Sequence, residues 1–353
     1  MTSVADTGTI WEVGGEFHSP VETPPRPFHP WPRPAVWYAL GRHAVEALLA
    51  TVRPGTLWLP DYFCHEVAVG WERAVAVRTY EDDPRWEEPH WESLQAAPGD
   101  LVVAVNYFGA REGTGWEERS GADFLLVEDH SHDPFSPWAV GSSADYAFGS
   151  LRKTLPVPDG AILWSPRGLD LPSQPREPAE GSELKLAAML LKGRYLQNAG
   201  DDALKERYRR LQLEGEEQLG RAVVAAASPA AREAVIGGAP LPWRVRRSDN
   251  AIHLLGAVSG LEIAEPLFDE WPAGAAPLGV VLLFESHEAR DRVREALREA
   301  GVYCPVHWAI ERPASERVRD LSAQVLTIPT DWRYSTADME RVASILREAE
   351  TGV

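Results

Sequence analysis

The sequence predicts an α/β fold: a mostly parallel central sheet flanked by helices, followed by a smaller C-terminal α/β unit. Three observations carry this. Short apolar runs at residues 56–59, 74–77, 101–105, 124–127 and 161–164 are strand-length and bounded by Pro, Gly, Asp or Glu. They are apolar on both faces, as strands buried between two helical layers are. Helical periodicity starts near Gly41 and runs to about Thr51, with Ala44, Val45, Leu48 and Leu49 at i, i+3, i+4 spacing. The last third of the chain then alternates again, with a strand at 278–284, a helix at 287–300, strands at 302–306 and 325–328, and a helix at 336–348. Ser335 stands where an N-cap of that last helix belongs, three residues before Asp338.

The remaining elements follow in order. Residues 1–34, rich in Pro, Gly and Thr and without a sustained period, read as an extended arm. A long helical and polar stretch spans about 183–226, and a loop is expected at 237–242. With 353 residues the chain is too long for one small core. The expected division is a large domain with its arm at 1–225 and a small C-terminal domain at 226–353.

Composition narrows the function. The net charge of −18 repels nucleic acid and anionic membranes unless a local basic patch exists. The densest cluster, Lys205, Arg207, Arg209 and Arg210, is surrounded by acids and reads as a solvated helix face. No apolar run reaches a membrane-spanning length, and residues 1–16 lack the basic start and apolar core of a signal peptide. Two cysteines, Cys64 and Cys304, form no framework, so a reducing cytoplasm is the expected compartment. Many of the 14 tryptophans lie in Pro-rich stretches, and the arm from Trp11 to Trp37 carries enough aromatic surface to suggest burial at a two-fold subunit contact, or against its own domain.

Three segments carry candidate chemistry. The run Val127-Glu128-Asp129-His130-Ser131-His132-Asp133 ends an apolar strand in ionisable groups, where open α/β sheets bind ligands. An acid there can pair with a cationic ring nitrogen, which pyridoxal phosphate (PLP) chemistry requires. The same run also reads as an exposed acidic turn. His130, His132 and Asp133 have a spacing that metal ligands could use, which leaves a metal-dependent hydrolase as a reading of another class. Ser150-Leu151-Arg152-Lys153 follows the apolar segment 146–148 and precedes a Pro-Val-Pro-Asp-Gly turn. A lysine held there and partly desolvated becomes a usable nucleophile, although a surface lysine fits the local pattern too. Leu40-Gly41-Arg42-His43-Ala44 opens the first helix, and helix N-termini bind phosphate.

Taken in this order, these segments resemble the DegT/DnrJ/EryC1/StrS group of PLP-dependent aminotransferases, of the aspartate-aminotransferase fold (fold type I). The resemblance runs from Val13-Gly14-Gly15-Glu16-Phe17 to the last helix. It implies Lys153 as the Schiff-base lysine and Asp129 as partner of the pyridine nitrogen. It also implies Gly41, Arg42, His43 and Ser150 around the phosphate, Phe63 or Cys64 over the ring, and His132 beside it. Asn106 and Tyr107, in Asn106-Tyr107-Phe108-Gly109, and His307, in Pro305-Val306-His307-Trp308, correspond to substrate-facing positions. Arg247, in Arg247-Ser248-Asp249-Asn250, is similar to a loop that reaches across the family's dimer. Phe148 stands where the family commonly has Ser, five residues before the lysine, and Ser150 can replace it. The implied activity is transfer of an amino group from a small-molecule donor to a carbonyl acceptor, an amino sugar or another biosynthetic compound, in a homodimer with shared sites and without a metal. Other PLP chemistry (lyase, dehydratase or decarboxylase) and a non-catalytic binding protein remain compatible with the same residues.

Overall fold

The computed structural model describes residues 10–19, 24–29, 34–119, 124–198, 201–310 and 314–351. Its elements begin with β1 (Val13–Gly14), β2 (Phe28–His29), β3 (Ala35–Tyr38), α1 (Gly41–Val52), β4 (Thr56–Pro60), α2 (His65–Glu72) and β5 (Ala76–Tyr80). Next come β6 (Leu101–Val105), β7 (Leu125–Asp129), α3 (Pro137–Gly141), β8 (Tyr146–Ser150) and β9 (Ala161–Trp164). Helices α4 (Gly181–Gln197), α5 (Asp202–Arg221) and α6 (Pro229–Val235) lead to β10 (Ala239–Pro240) and α7 (Leu241–Val258). The chain closes with β11 (Ala264–Pro266), β12 (Gly279–Phe284), α8 (His287–Glu299), β13 (Val302–Tyr303), α9 (Glu316–Gln324), β14 (Val325–Pro329) and α10 (Thr336–Thr351).

Among the described residues seven strands form the central sheet, in the order β3-β9-β8-β7-β6-β4-β5. The block β5, β4, β6, β7, β8 is parallel, and β9 lies antiparallel between β8 and β3. β6, β8 and β9 are buried at every position, which is why their sequences carry no alternation. The five parallel strands end on one rim, so Pro60, Tyr80, Val105, Asp129 and Ser150 mark the edge where a ligand site is expected.

A second core joins β11, β12 and β14, an antiparallel sheet, to α7, α8 and α10 through Leu254, Val258, Val293, Leu297, Val342 and Leu346. Ala231, Val235 and Ala239 pack instead with Ala147, Leu151, Ile162 and Trp164 of the large sheet.

Several elements depart from expectation. The strand expected at 74–77 is β5, displaced toward Tyr80, because that side chain is buried with its hydroxyl donating to the Val103 carbonyl at 2.7 Å. The helical stretch expected at 183–226 is divided into α4 and α5; Asp201 caps α5 by accepting from the Leu204 amide at 2.9 Å. β13 stops at Tyr303, since Pro305 has no N–H to extend a ladder. The loop expected at 237–242 becomes β10 and the first turn of α7, which tolerates Pro242 where helix amides lack partners. Arg247-Ser248-Asp249-Asn250 therefore lies inside an 18-residue helix, not in a loop.

The described part of the arm folds on its own chain. β1 pairs in parallel with β13, Val13 is fully buried, Trp11 donates to Asp338 at 2.8 Å, and Phe17 stacks on Trp332. These residues thus pack against their own chain, the second of the two placements expected. Residues 1–9, 20–23 and 30–33 of the arm lie outside the described residues. Arg207, Arg209 and Arg210 are exposed around a buried Tyr208 on α5. No helix among the described residues is long and apolar enough to cross a membrane.

Candidate active site

The end of β7 divides its ionisable residues between two environments, as successive strand residues point to opposite faces. Glu128 is buried and accepts from the Trp138 indole at 2.9 Å, while its second oxygen meets His130 Nε2 at 2.9 Å. His130 Nδ1 lies 3.4 Å from the Asn106 amide nitrogen, which also donates to Ser136 Oγ at 2.9 Å; Asn106 Oδ1 accepts from the Arg111 backbone at 3.2 Å. Asn106 and His130 thus belong to a closed internal network. Among the described residues no group of three His, Cys, Asp or Glu side chains is placed to hold a metal ion, so the spacing of His130, His132 and Asp133 does not become a ligand set.

Asp129 and His132 turn the other way. Asp129 is half-buried; one oxygen accepts from the Ser131 amide at 2.8 Å, and the other has no hydrogen-bond partner among the described residues. His132 is buried, and its Nδ1 accepts from the Phe108 amide at 2.9 Å. Phe108 reaches it because Asn106-Tyr107-Phe108-Gly109 folds tightly, with φ of 57° at Phe108 and 73° at Gly109. A Cβ at Gly109 would come within 2.8 Å of Asp133 Cβ, so only glycine permits this approach.

On the far side of the imidazole, Nε2 is 3.1 Å from Lys153 Nζ. Lys153 closes the short helical turn after β8. A backbone N–H can only donate, so His132 Nδ1 carries no proton and the neutral ring carries it on Nε2. Nε2–H then donates to Lys153, which requires the free-base amine. The electrostatics agree. Burial lowers the Lys153 pKa, with Arg152 adding to it against Asp129 and Cys64. Burial pushes His132 well below the usual histidine range, so its ring is neutral. Burial likewise lowers His307, to about 3. Trp308 closes this group: it stacks on His132 at 5.7 Å, and Lys153 Nζ sits 5.9 Å from its ring centre.

The other sequence candidates distribute as follows. α1 begins at Gly41 without a side-chain cap and without an acid in its first turn, against Phe148 and the Ser131 hydroxyl. Ser150, at the end of β8, donates its amide to Ser131 Oγ at 3.2 Å. The side chains of Arg42 and His43 point away: Arg42 donates to the Leu219 carbonyl at 2.7 Å, and His43 is held at 3.2 Å by Ala222 O. Burial raises the Cys64 thiol pKa, and the thiol lies near Lys153. Phe63 turns into the core against Trp71. Tyr107 is fully buried, its hydroxyl on the Tyr62 carbonyl at 2.8 Å.

Lys153 opens into a cavity of about 720 Å³, also lined by Arg247, Leu278, His307, Thr327 and Arg333. That volume suits a small molecule. His307 Nδ1 is 2.9 Å from Thr327 Oγ1, and its carbonyl accepts from Tyr62. Arg152 and Lys185 also line the cavity, and Glu216 bridges them at 2.6 Å and 2.9 Å. Against burial, which raises it, Arg152 and Lys185 bring Glu216 down to about 2. Trp308, Lys185 and Glu216 escaped the sequence reading. Trp308 could have been singled out as the neighbour of His307, whereas the two ionic residues look like any charges on a helix.

No family model and no curated protein matches the sequence, but solved structures share its fold. DesV of S. venezuelae superposes with a TM-score of 0.59 at 18% identity, covering 90% of this chain and 85% of that one. A DegT DnrJ EryC1 StrS aminotransferase from Brucella abortus gives 0.56 at 16% identity, with 89% and 85% covered. NtdA of Bacillus subtilis, solved with bound cofactor PMP, gives 0.55 at 12% identity, with 90% and 73% covered. The chain has the fold of these aminotransferases, as the sequence predicted.

Proposed function

We propose that the protein is a PLP-dependent aminotransferase with Lys153 as the residue that attaches the cofactor. The observation that carries this is the contact of Lys153 Nζ with His132 Nε2, which keeps a buried amine in its nucleophilic form beside a strand-end carboxylate. The surrounding residues fit PLP: a desolvated lysine, an Asp129 oxygen free to accept from a protonated ring nitrogen, and an uncapped helix start beside the Ser131 hydroxyl for a phosphate. Similarity of fold to aminotransferases, one with bound PMP, supports the same reading.

Bound here, PLP supplies an electron sink for breaking a bond next to an amine. The chain's own residues do the rest. Lys153 would hold the cofactor through its free amine and would carry a proton to and from the substrate carbon as general base and acid. Asp129 would accept from the ring nitrogen and favour its protonated form. His132 and Cys64 border the reacting amine, and Trp308 shields it from water. The substrates we infer are a small-molecule amino donor and a carbonyl acceptor, an amino sugar or similar biosynthetic compound. A homodimer is part of this reading, supported by Leu241, Val245 and Ile252, which α7 exposes at 39%, 51% and 57%. So is a cytoplasmic setting, supported by the free thiols of Cys64 and Cys304.

The test is product analysis under single turnover. With an amino donor alone, the cofactor should convert to its amine form with one equivalent of oxo acid. Release of ammonia or carbon dioxide with the cofactor unchanged would assign lyase, dehydratase or decarboxylase chemistry instead.

A further inference from the structure

Trp308, whose ring covers Lys153, comes from a strap at residues 304–310 that follows β13 and precedes α9 and β14. The strap is fastened to what comes after it. The Trp308 carbonyl accepts from the Ser322 hydroxyl of α9 at 2.5 Å, and the Pro305 carbonyl accepts from the Thr327 amide of β14 at 3.1 Å. His307 Nδ1 lies 2.9 Å from Thr327 Oγ1. These bonds join strap, α9 and β14 into one piece.

A second set of contacts sets that piece against Lys153. The Trp308 indole meets rings of the central-sheet core: Tyr62 at 5.5 Å, Phe63 and Phe108 at 6.4 Å, and Tyr107 at 6.5 Å. Apolar contact of this kind is non-directional, so it buries the indole without fixing where it stands over the amine. Direction comes from polar ties. The buried Tyr62 hydroxyl donates to the His307 carbonyl. Arg317, in the first turn of α9, donates to Asp61 at 2.5 Å, to Asp83 at 3.0 Å and to the Asp82 carbonyl at 3.1 Å, with Trp86 under its guanidinium at 4.6 Å.

The planar fork of an arginine can span two carboxylates at once, and here it bridges the ends of β4 and β5. Asp61 and Tyr62 are adjacent, so the turn after β4 takes both ties, and Cys64 of the same turn lies near Lys153. Arg317 itself does not line the cavity. Its reach to the reacting amine runs through α9, the strap and Trp308.

We propose that Arg317 is a positioning residue for Lys153: by fastening α9 to the ends of β4 and β5, it holds Trp308 over the reacting amine and keeps water from it. This rests on Lys153 as the reacting lysine. Without Arg317 the strap lifts and the amine is solvated, which favours its charged form. Of the titratable groups around Lys153, Asp129, His132, Arg152 and Cys64 stand on the central-sheet side and keep their places. His307 moves with the strap, but it is neutral above its pKa of about 3. A change in the amine therefore reports water and not a lost charge.

Competitive acetylation with acetic anhydride, followed by peptide mapping, tests this on the full chain stripped of PLP. It reads the apparent pKa of the Lys153 amine separately from its accessibility. Wild type should titrate below a free model amine used as internal standard. Arg317→Met should raise the value by about one pH unit. Tyr62→Phe should move it the same way, and Arg317→Lys by less, since an ammonium keeps the charge but loses the fork. Arg317→Met strands Asp61, so Arg317→Met combined with Asp61→Asn guards against loss of the fold and should show the same rise. Arg111→Met is the structural control: its pair with Asp82 has no member on α9, and the amine should stay where it is. An unchanged Lys153 profile in both Arg317→Met proteins, or an equal rise in Arg111→Met, would overturn the proposal. Adding PLP separates the two readings: no visible band, with a Lys153 profile that still depends on Arg317, sinks the cofactor role and leaves the hold of Arg317 on the amine standing.

Discussion

Two clusters of buried charge share one rim of the central sheet, and they are built on opposite plans. At the ends of β4 and β5 every charge is matched. Arg111 grips Asp82 with both oxygens at 2.9 and 3.1 Å, Arg317 joins Asp61 at 2.5 Å and Asp83 at 3.0 Å, and Arg85 completes Asp83 at 2.7 Å. At the ends of β7 and β8, and at Arg247 of α7, valences stay open: a free-base Lys153, one oxygen of Asp129, and the whole guanidinium of Arg247. Closed pairs hold loops together. Open ones wait for a ligand, and the difference identifies the working end of the rim better than charge count does.

The comparison breaks most clearly at Lys153. Lys153→Ala should lower turnover by about 10³-fold or more, since nucleophile and proton carrier go together. Stability should hold, because a desolvated amine is removed. Steady-state rates and thermal melts check both halves, and a large loss of stability would place Lys153 among the structural charges. The reverse pattern is expected in the closed cluster. Arg111→Met strands Asp82, which is fully buried, and should cost about 3 kcal/mol in denaturant unfolding while leaving PLP loading unchanged. Loss of cofactor binding in that variant would erase the distinction.

Asp129→Asn is the next largest effect: about a 10²-fold loss of turnover in a folded protein that still binds cofactor. Insensitivity of the residual activity to chelators should accompany it. The smallest effect concerns Glu216. Its folded pKa, about 2, lies below the ordinary 4.5, so the stability it contributes is present above pH 4.5 and is lost as pH falls toward 2. Acid unfolding of Glu216→Gln should be flatter over that window, and an identical profile would remove Glu216 from the wall's ionic lock.

How much of this was legible depended on range. β4, β6 and β9 stood out because burial on both faces needs nothing beyond their own residues. Lys153 and Asp129 stood out through the family resemblance, since their local patterns alone fitted a surface lysine and an exposed acidic turn equally well. α7 was hidden by Pro242 and by a run of arginines that reads as solvated. The isolation of Arg247 was invisible for a stronger reason: it exists only because Arg244 and Arg333, far apart in sequence, claim the carboxylates nearby. Likewise Arg42 and His43 matched a phosphate-binding pattern, and only the fold shows their side chains turned toward the carbonyls of Leu219 and Ala222. Pairing is a tertiary property, and it separates the two ends of the rim.

Reductive trapping tests the central claim directly. Protein incubated with PLP, treated with borohydride and digested should carry the phosphopyridoxyl label on the peptide containing Lys153. Lys185 and Lys192 are the informative alternatives: both are buried near the cavity wall, but Lys185 is tied to Glu16 and Glu216 and Lys192 to Glu12, so their amines should stay unlabelled. A label on either of them, with Lys153 unmodified, would contradict the account.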